Sequence, residues 1–127
     1  MSPMKMQKIE SAIRLVVELI ENINSHKIKN IVKILSDDCS LESSSPAPKG
    51  TIYNGKEQIE KYFENIYKER KNLHYKTEEI IGFGHRCITR YKSTWEDDQG
   101  RENTIKGTDI IKEKDDQICE ILSYSKR

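Results

Sequence analysis

At 127 residues the chain has the length of one domain, and a domain of this size buries roughly two-thirds of the surface its unfolded form exposes. Its 22 basic and 21 acidic side chains nearly cancel, although charged residues make up 34% of the sequence. No long-range field of one sign remains to attract nucleic acid or an anionic membrane, and neither is expected as a partner.

The opening residues Met1-Ser2-Pro3-Met4-Lys5-Met6 lack the apolar stretch of a signal peptide, and residues 1–6 read as a disordered tail. Ile9, Ala12, Ile13, Val16, Val17, Ile20 and Ile23 then recur at spacings of three and four, which places them on one face of a helix from about Gln7 to Asn24. Ser25 can cap a second, shorter helix in which Ile28, Ile31, Val32 and Leu35 share a face and which Asp37 and Asp38 end; the two helices would pack as a hairpin. Cys39 to Ser43 reads as a short strand. The run Ser43-Ser44-Ser45-Pro46-Ala47-Pro48-Lys49-Gly50 is a loop of the kind that rims pockets, because its prolines and glycine continue neither helix nor strand. Asn54-Gly55 turns into a third helix, Lys56 to about Lys71, with Ile59, Tyr62, Phe63, Ile66 and Tyr67 on its apolar face.

From Leu73 the period changes to two. Four strands are expected, at about 73–82, 85–97, 101–113 and 117–125, with turns at Gly82-Phe83-Gly84, Asp97-Asp98-Gln99-Gly100 and Lys114-Asp115-Asp116. Helices first and strands after, without alternation, predict a single α+β domain over 1–127 whose helices cover one face of an antiparallel meander. The longest apolar runs, Leu15 to Val17 and Ile80 to Ile81, are far too short to cross a bilayer, so the chain reads as cytoplasmic.

The chemically distinctive residue is Asp109. Its neighbours on the same strand face, Asn103, Ile105, Gly107 and Ile111, carry no charge, and alternation points Asp109 inward with them. An inward, unpaired carboxylate is costly unless hydrogen-bonded or protonated. It is therefore either a pocket acid or base with a raised pKa, or a buried group that accepts hydrogen bonds from a strand or helix end. Tyr91 and Trp95 share parity with Cys87 and Thr89, opposite to Arg86, Arg90, Lys92 and Glu96, and so face the core or a pocket wall. Acid–base catalysis needs a second titratable group within reach, for which Glu42, His74, His85 and Tyr62 are the candidates.

No metal site is expected, since His26, His74 and His85 are scattered without ligand spacing. Cys39, Cys87 and Cys119 are odd in number and widely spaced, and read as reduced thiols. Neither a dinucleotide fingerprint nor a phosphate-cradling Gly-x-x-x-x-Gly-Lys occurs, so no cofactor is expected.

The order of these elements, with Gly107-Thr108-Asp109-Ile110-Ile111 and then Gln117-Ile118-Cys119-Glu120-Ile121-Leu122-Ser123-Tyr124, resembles the SnoaL-like polyketide cyclases and ketosteroid isomerase-like proteins of the nuclear-transport-factor-like superfamily. The likeness runs from about Ile9 to Lys126. Its other markers are Asn24, the helix end Ile31-Val32-Lys33-Ile34-Leu35-Ser36-Asp37-Asp38, the helix start Gly55-Lys56-Glu57-Gln58-Ile59, and Trp95. The resemblance implies a cone-shaped roll in which three N-terminal helices pack against a curved, mostly antiparallel sheet around an apolar pocket. It also implies homodimers paired through the outer sheet face, with Ile88, Thr94, Ile110 and Leu122 as candidate contacts.

Asp109 falls where several of these enzymes keep a pocket Asp as general acid or hydrogen-bond donor, and the isomerase is itself the standard example of a carboxylic acid kept protonated by an apolar site. Two positions depart from the isomerase: Leu19 stands where it has a phenolic oxyanion donor, and Ser43 where it has its carboxylate base. Steroid isomerase chemistry is therefore not expected. The resemblance implies instead a cofactor-free protein that encloses an apolar small molecule between Val16, Ile20, Tyr62, Phe63, Tyr91, Trp95 and Ile111. If the domain is an enzyme, Asp109 moves the proton in an isomerisation, cyclisation or dehydration. The competing reading is a ligand-binding or dimeric association module of the same shape, in which Asp109 only orders the pocket.

Overall fold

The computed structural model describes residues 3–126; Met1, Ser2 and Arg127, and the side chains of residues 3–9, Ile9 among them, lie outside that description. Helix α1 (Pro3–Asn24) buries Ala12, Val16 and Ile23 of the expected stripe together with Leu15 and Leu19, which the expected face did not include; Ile13 and Ile20 are half-buried, and Arg14, Glu18 and Glu21 stay in water. It begins at Pro3 rather than near Gln7, so residues 3–6 of the expected tail continue the helix. Val17 departs from the expected face and is exposed. At the helix end the Asn24 side chain takes over the backbone of a neighbouring strand. Its Nδ2 donates to the Tyr75 carbonyl at 2.9 Å, and its Oδ1 accepts the Tyr75 N–H at 2.7 Å.

Ser25 caps nothing. His26 follows in the left-handed conformation at φ 57°, where its Nε2–H donates to the Leu73 carbonyl and its ring stacks on Tyr67. Helix α2 (Ile28–Lys33) starts only after Lys27, without a side-chain cap, and lasts six residues. Leu35, expected on its face, instead opens strand β1 (Leu35–Ser43). Leu35, Cys39 and Leu41 turn inward, and Asp37 and Asp38 sit exposed where the register shifts between Leu35 and Ser40. Strand β2 (Thr51–Asn54) was not expected, because four residues after a proline-rich loop carry too little periodicity. Helix α3 (Gly55–Glu69) opens on Gly55 at φ 84°, with the Asn54 N–H held by Gln58 Oε1, and buries Ile59, Phe63 and Ile66.

The remaining strands are β3 (Lys71–Phe83), β4 (Arg86–Glu96), β5 (Glu102–Lys114) and β6 (Gln117–Lys126), close to the expected bounds. The six strands form one curved sheet in the order β2-β1-β6-β5-β4-β3. All pairs are antiparallel except β1 with β6, which run parallel. The expected succession of three helices and then a meander is thus corrected: a β1–β2 hairpin precedes α3 and widens the sheet at its β6 edge. The α+β class stands, with three helices packed on the concave face.

Alternation decides what each strand sends inward. On β4 these are Cys87, Thr89, Tyr91, Ser93 and Trp95; on β5 they are Ile105, Gly107, Asp109, Ile111 and Glu113. On the outer face the register aligns Ile81, Ile88, Ile110 and Leu122 in one row across β3, β4, β5 and β6. Among the described residues, no helix is long and apolar enough to cross a membrane.

Candidate active site around Asp109

Asp109 lies at mid-strand on β5, between Thr89 on β4 and Ser123 on β6. It is 9% exposed and has no salt-bridge partner among the described residues. The Tyr91 hydroxyl donates to its Oδ1 at 3.0 Å. Burial pushes the Asp109 carboxyl up to about 6, while hydrogen bonds from Ser123 and Tyr91 act in the opposite sense by favouring the ionised form. A carboxylate tuned this way is mostly ionised at neutral pH and still able to hold a proton, which suits a general base or acid.

Tyr91 reaches this position because Gly107, its cross-strand partner, has no side chain: a Cβ there would overlap the Tyr91 ring. Tyr75 stacks on Tyr91 with ring centroids 4.5 Å apart and planes inclined by 8°. Tyr62 completes the cluster from α3. Burial, and then the charge of Asp109, raise the Tyr62 and Tyr91 phenols well above their usual range. Burial also raises Tyr75, with the neighbouring phenols and Asp109 adding to it. All three therefore remain neutral donors at ordinary pH.

These groups surround a small internal cavity of about 20 Å³, walled by Leu19, Leu41, Tyr62, Phe63, Tyr75 and Asp109. That is room for about one water molecule. Tyr62 is also a wall of a second, more exposed cavity of about 250 Å³, the outer chamber, together with Ser43, Tyr53, Asn65, Glu69 and Arg70. Tyr62 is the residue common to the two linings. Larger clefts, of about 430 and 490 Å³, run over charged surface and do not touch Asp109.

Of the side chains expected around a ligand, Tyr62 and Phe63 line the inner cavity and Tyr91 bonds Asp109. Val16 and Ile111 belong to the packed core, with Ile20 half-buried against it. Trp95 sits in a separate cluster with Ile66, Leu73 and Ile105, beneath the Arg70 guanidinium at 4.4 Å. Tyr75, Ser123, Leu19, Leu41, Ile23 and Ile121 were missed. Tyr75 and Ser123 had a signal, since each follows the parity of an apolar neighbour, Leu73 and Ile121.

Among the candidate second groups only Tyr62 meets the cavity. Glu42 and His74 have outward parity, next to inward Leu41 and Leu73. His85 Nδ1 pairs instead with Glu113 Oε1 at 3.0 Å. Glu113 is the charged residue of the Asp109 face that the uncharged run Asn103 to Ile111 did not include. Leu19 and Ser43 supply no titratable group. Among the described residues, no three His, Cys, Asp or Glu side chains cluster as metal ligands.

An α+β cone of three helices on a curved, mostly antiparallel sheet is the architecture of the NTF2-like and ketosteroid isomerase-like folds. The chain belongs to the SnoaL-like domain family, whose profile matches residues 16–121. Among curated proteins none matches it. Solved structures similar to it include an NTF2-like protein of unknown function from Burkholderia pseudomallei, with 14% identity, TM-score 0.81 and 91% of each chain covered. A protein of ketosteroid isomerase-like fold from Catenulispora acidiphila, in complex with trimethylamine, has 11% identity and TM-score 0.79, covering 87% of this chain and 83% of its own. TerC, co-crystallised with polyporic acid, has 12% identity and TM-score 0.81, covering 91% and 92%. These likenesses establish the fold.

Proposed function

We propose that this is a small-molecule pocket protein of SnoaL-like type, in which Asp109 transfers a proton on a compact organic substrate without a cofactor. The observation that carries this reading is the environment of Asp109: a buried carboxylate with no cationic partner among the described residues, raised to about 6 and facing a cavity among phenols. An ion pair built only for structure would have its cation; a group set for proton transfer needs an intermediate affinity for the proton. The ionised Asp109 removes a proton from carbon next to a carbonyl, steadied by the Tyr91 and Ser123 hydroxyls. The Tyr75 hydroxyl, which makes no hydrogen bond to another described residue, donates to the oxygen on which negative charge develops. Returning the proton to another carbon gives isomerisation; attack of the enolate carbon on a second carbonyl of the substrate, with the proton delivered to the alkoxide so formed, gives cyclisation; and departure of a β-hydroxyl that takes the proton from Asp109 and leaves as water gives dehydration.

Substrate enters from the outer chamber, and Tyr62 swings aside to admit it to Asp109. Two solved relatives of this fold hold small organic molecules, trimethylamine in one and polyporic acid in the other, which supports a ligand here. The protein works as a homodimer, with the row Ile81, Ile88, Ile110 and Leu122 covered by the partner's outer sheet face and Thr94 beside it.

The test is hydrogen–deuterium exchange at carbon, followed by proton NMR in D₂O on a panel of small cyclic ketones that includes β-tetralone. Wild-type protein is expected to accelerate exchange, and Asp109→Asn to lose roughly a hundredfold or more of that acceleration. One observation favours a second reading, a non-catalytic binding or association module: the inner cavity holds about 20 Å³. Absence of exchange with every ketone, alongside measurable binding, would decide for it.

A further inference from the structure

The outer chamber contains a cation without an acidic partner among the described residues. Arg70 follows α3 and is half-buried at the chamber wall. Its guanidinium lies 4.4 Å from the Trp95 ring centre, and it makes no salt bridge and no side-chain hydrogen bond to another described residue. Stacking on an aromatic face engages the plane of the guanidinium and leaves its N–H donors, which lie in that plane, directed outward. An arginine taken partly out of water without a carboxylate is unusual, because its five donors then lack the acceptors they would have in solution. The wall around it is rich in neutral hydrogen-bonding groups, with Ser43, Tyr53, Tyr62 and Asn65 beside it. The one acid there, Glu69, is exposed and also borders a cleft it shares with Lys68 and Lys71.

Arg70 is also close enough to the inner cluster that its charge lowers the pKa of both Tyr62 and Tyr75, against the larger effect of burial. The outer cation and the inner carboxylate thus line two cavities that share the Tyr62 side chain. We infer that Arg70 is the specificity determinant of the chamber and that the ligand is an organic acid, its carboxylate held in a two-pronged hydrogen bond by the stacked guanidinium and its apolar body directed past Tyr62 toward Asp109. This rests on the reading of the chamber and cavity as a ligand pocket, and it names the charge of what enters. A neutral compound of the same shape leaves the Arg70 donors unpaired, and an acid that enters carboxylate first meets the ionised Asp109. The arrangement therefore sets orientation as well as affinity.

The experiment compares naphthoate with naphthylmethanol, two bodies of the same size that differ in charge. Binding is measured by titration calorimetry, and the site is mapped by amide chemical shifts of Ser43, Thr51, Tyr53 and Asn65. Wild-type protein is expected to bind the carboxylate roughly tenfold tighter than the alcohol, the worth of one charge-assisted hydrogen-bonded contact. Arg70→Met, which keeps the stem over Trp95, is expected to bind both alike, and Arg70→Lys to restore part of the preference; circular dichroism verifies that each variant is folded. Equal binding of the two compounds by wild type would overturn the proposal while leaving the pocket reading intact, as would a preference that survives in Arg70→Met. Binding of neither compound at the mapped residues would overturn both.

Discussion

Replacing Asp109 with Asn tests the energetic state of the candidate site directly, because the change keeps size and hydrogen bonding but removes the titration. The folded-state pKa of Asp109 is raised from 3.8 to about 6. A difference of about two pH units corresponds to about 3 kcal/mol between the two protonation states. Because the folded value lies above the unfolded one, the native state holds the proton more tightly. The contribution of Asp109 to stability is thus complete below about pH 4 and is lost as pH rises through about 6. Above that the protein carries a buried, ionised carboxylate at a cost of about 3 kcal/mol relative to acid conditions. The substituted amide does not titrate and has no such dependence. The stability of Asp109→Asn minus that of wild type should therefore increase by about 3 kcal/mol between pH 4 and pH 7.5. The assay is urea denaturation of both proteins at matched concentration across that range, followed by fluorescence of the one tryptophan, Trp95. Two stability curves that run parallel with pH would refute the argument and return Asp109 to the ordinary carboxylates.

Tyr91→Phe removes a hydrogen bond that favours the carboxylate, so the Asp109 pKa should rise further still, which a carbon-13 NMR titration of the side-chain carboxyl reads directly. Gly107→Ala should displace the Tyr91 ring and lower stability by about 1–3 kcal/mol, as overpacking does, measured by thermal or chemical denaturation. Asn24→Ala should cost about 1–3 kcal/mol in the same assay, because it strands the N–H and carbonyl of Tyr75. Ile110→Lys, at the centre of the outer row, should turn a dimer into a monomer near 14.9 kDa in sedimentation at micromolar concentration; wild type already sedimenting as a monomer would refute the dimer.

Long elements with a clean period were legible in the sequence. Helix α1, helix α3 and the four strands after Leu73 all lie close to where spacing places them, and strand parity pointed Asp109, Tyr91 and Trp95 inward. Short elements were not legible: β2 has four residues, and α2 gives way to β1 at Leu35, where an apolar residue serves a helix pattern and a strand pattern equally well. The structure gathers only part of the expected pocket list around Asp109, for a different reason. Parity tells which face a residue takes but not how far along the strand it lies from the site. Trp95 pairs with Asn103, six residues from Asp109 and so roughly 20 Å away along the strand. Tyr91 pairs with Gly107, and its long side chain crosses the vacant position to reach Asp109. Tyr75 enters the same cluster by stacking on Tyr91, a contact that requires knowing that β3 and β4 are neighbours in this register.

Strand β5 supplies its own control for the reading of Asp109. It buries two acids on one face, Asp109 and Glu113, with the inward Ile111 between them. Glu113 lies at the strand end, where Oε1 meets His85 at 3.0 Å and Oε2 accepts the Asp116 N–H at 2.7 Å, so both oxygens are engaged in closing adjacent hairpins. That is how a buried carboxylate is accommodated when its role is to hold the fold. Asp109 shares the strand, the face and the burial, yet it receives neutral hydroxyls in place of an imidazole and a backbone N–H, and it borders a cavity where Glu113 borders a turn. The same scaffold could have given it a basic partner, since Arg90 and Lys112 occupy the neighbouring positions of this sheet, but both have outward parity. Burial, with no cation facing it among the described residues to offset the effect, is what raises the Asp109 pKa into the range where a proton can be both taken and returned, and Arg70 is the one positive charge among the residues that line the outer chamber and the inner cavity.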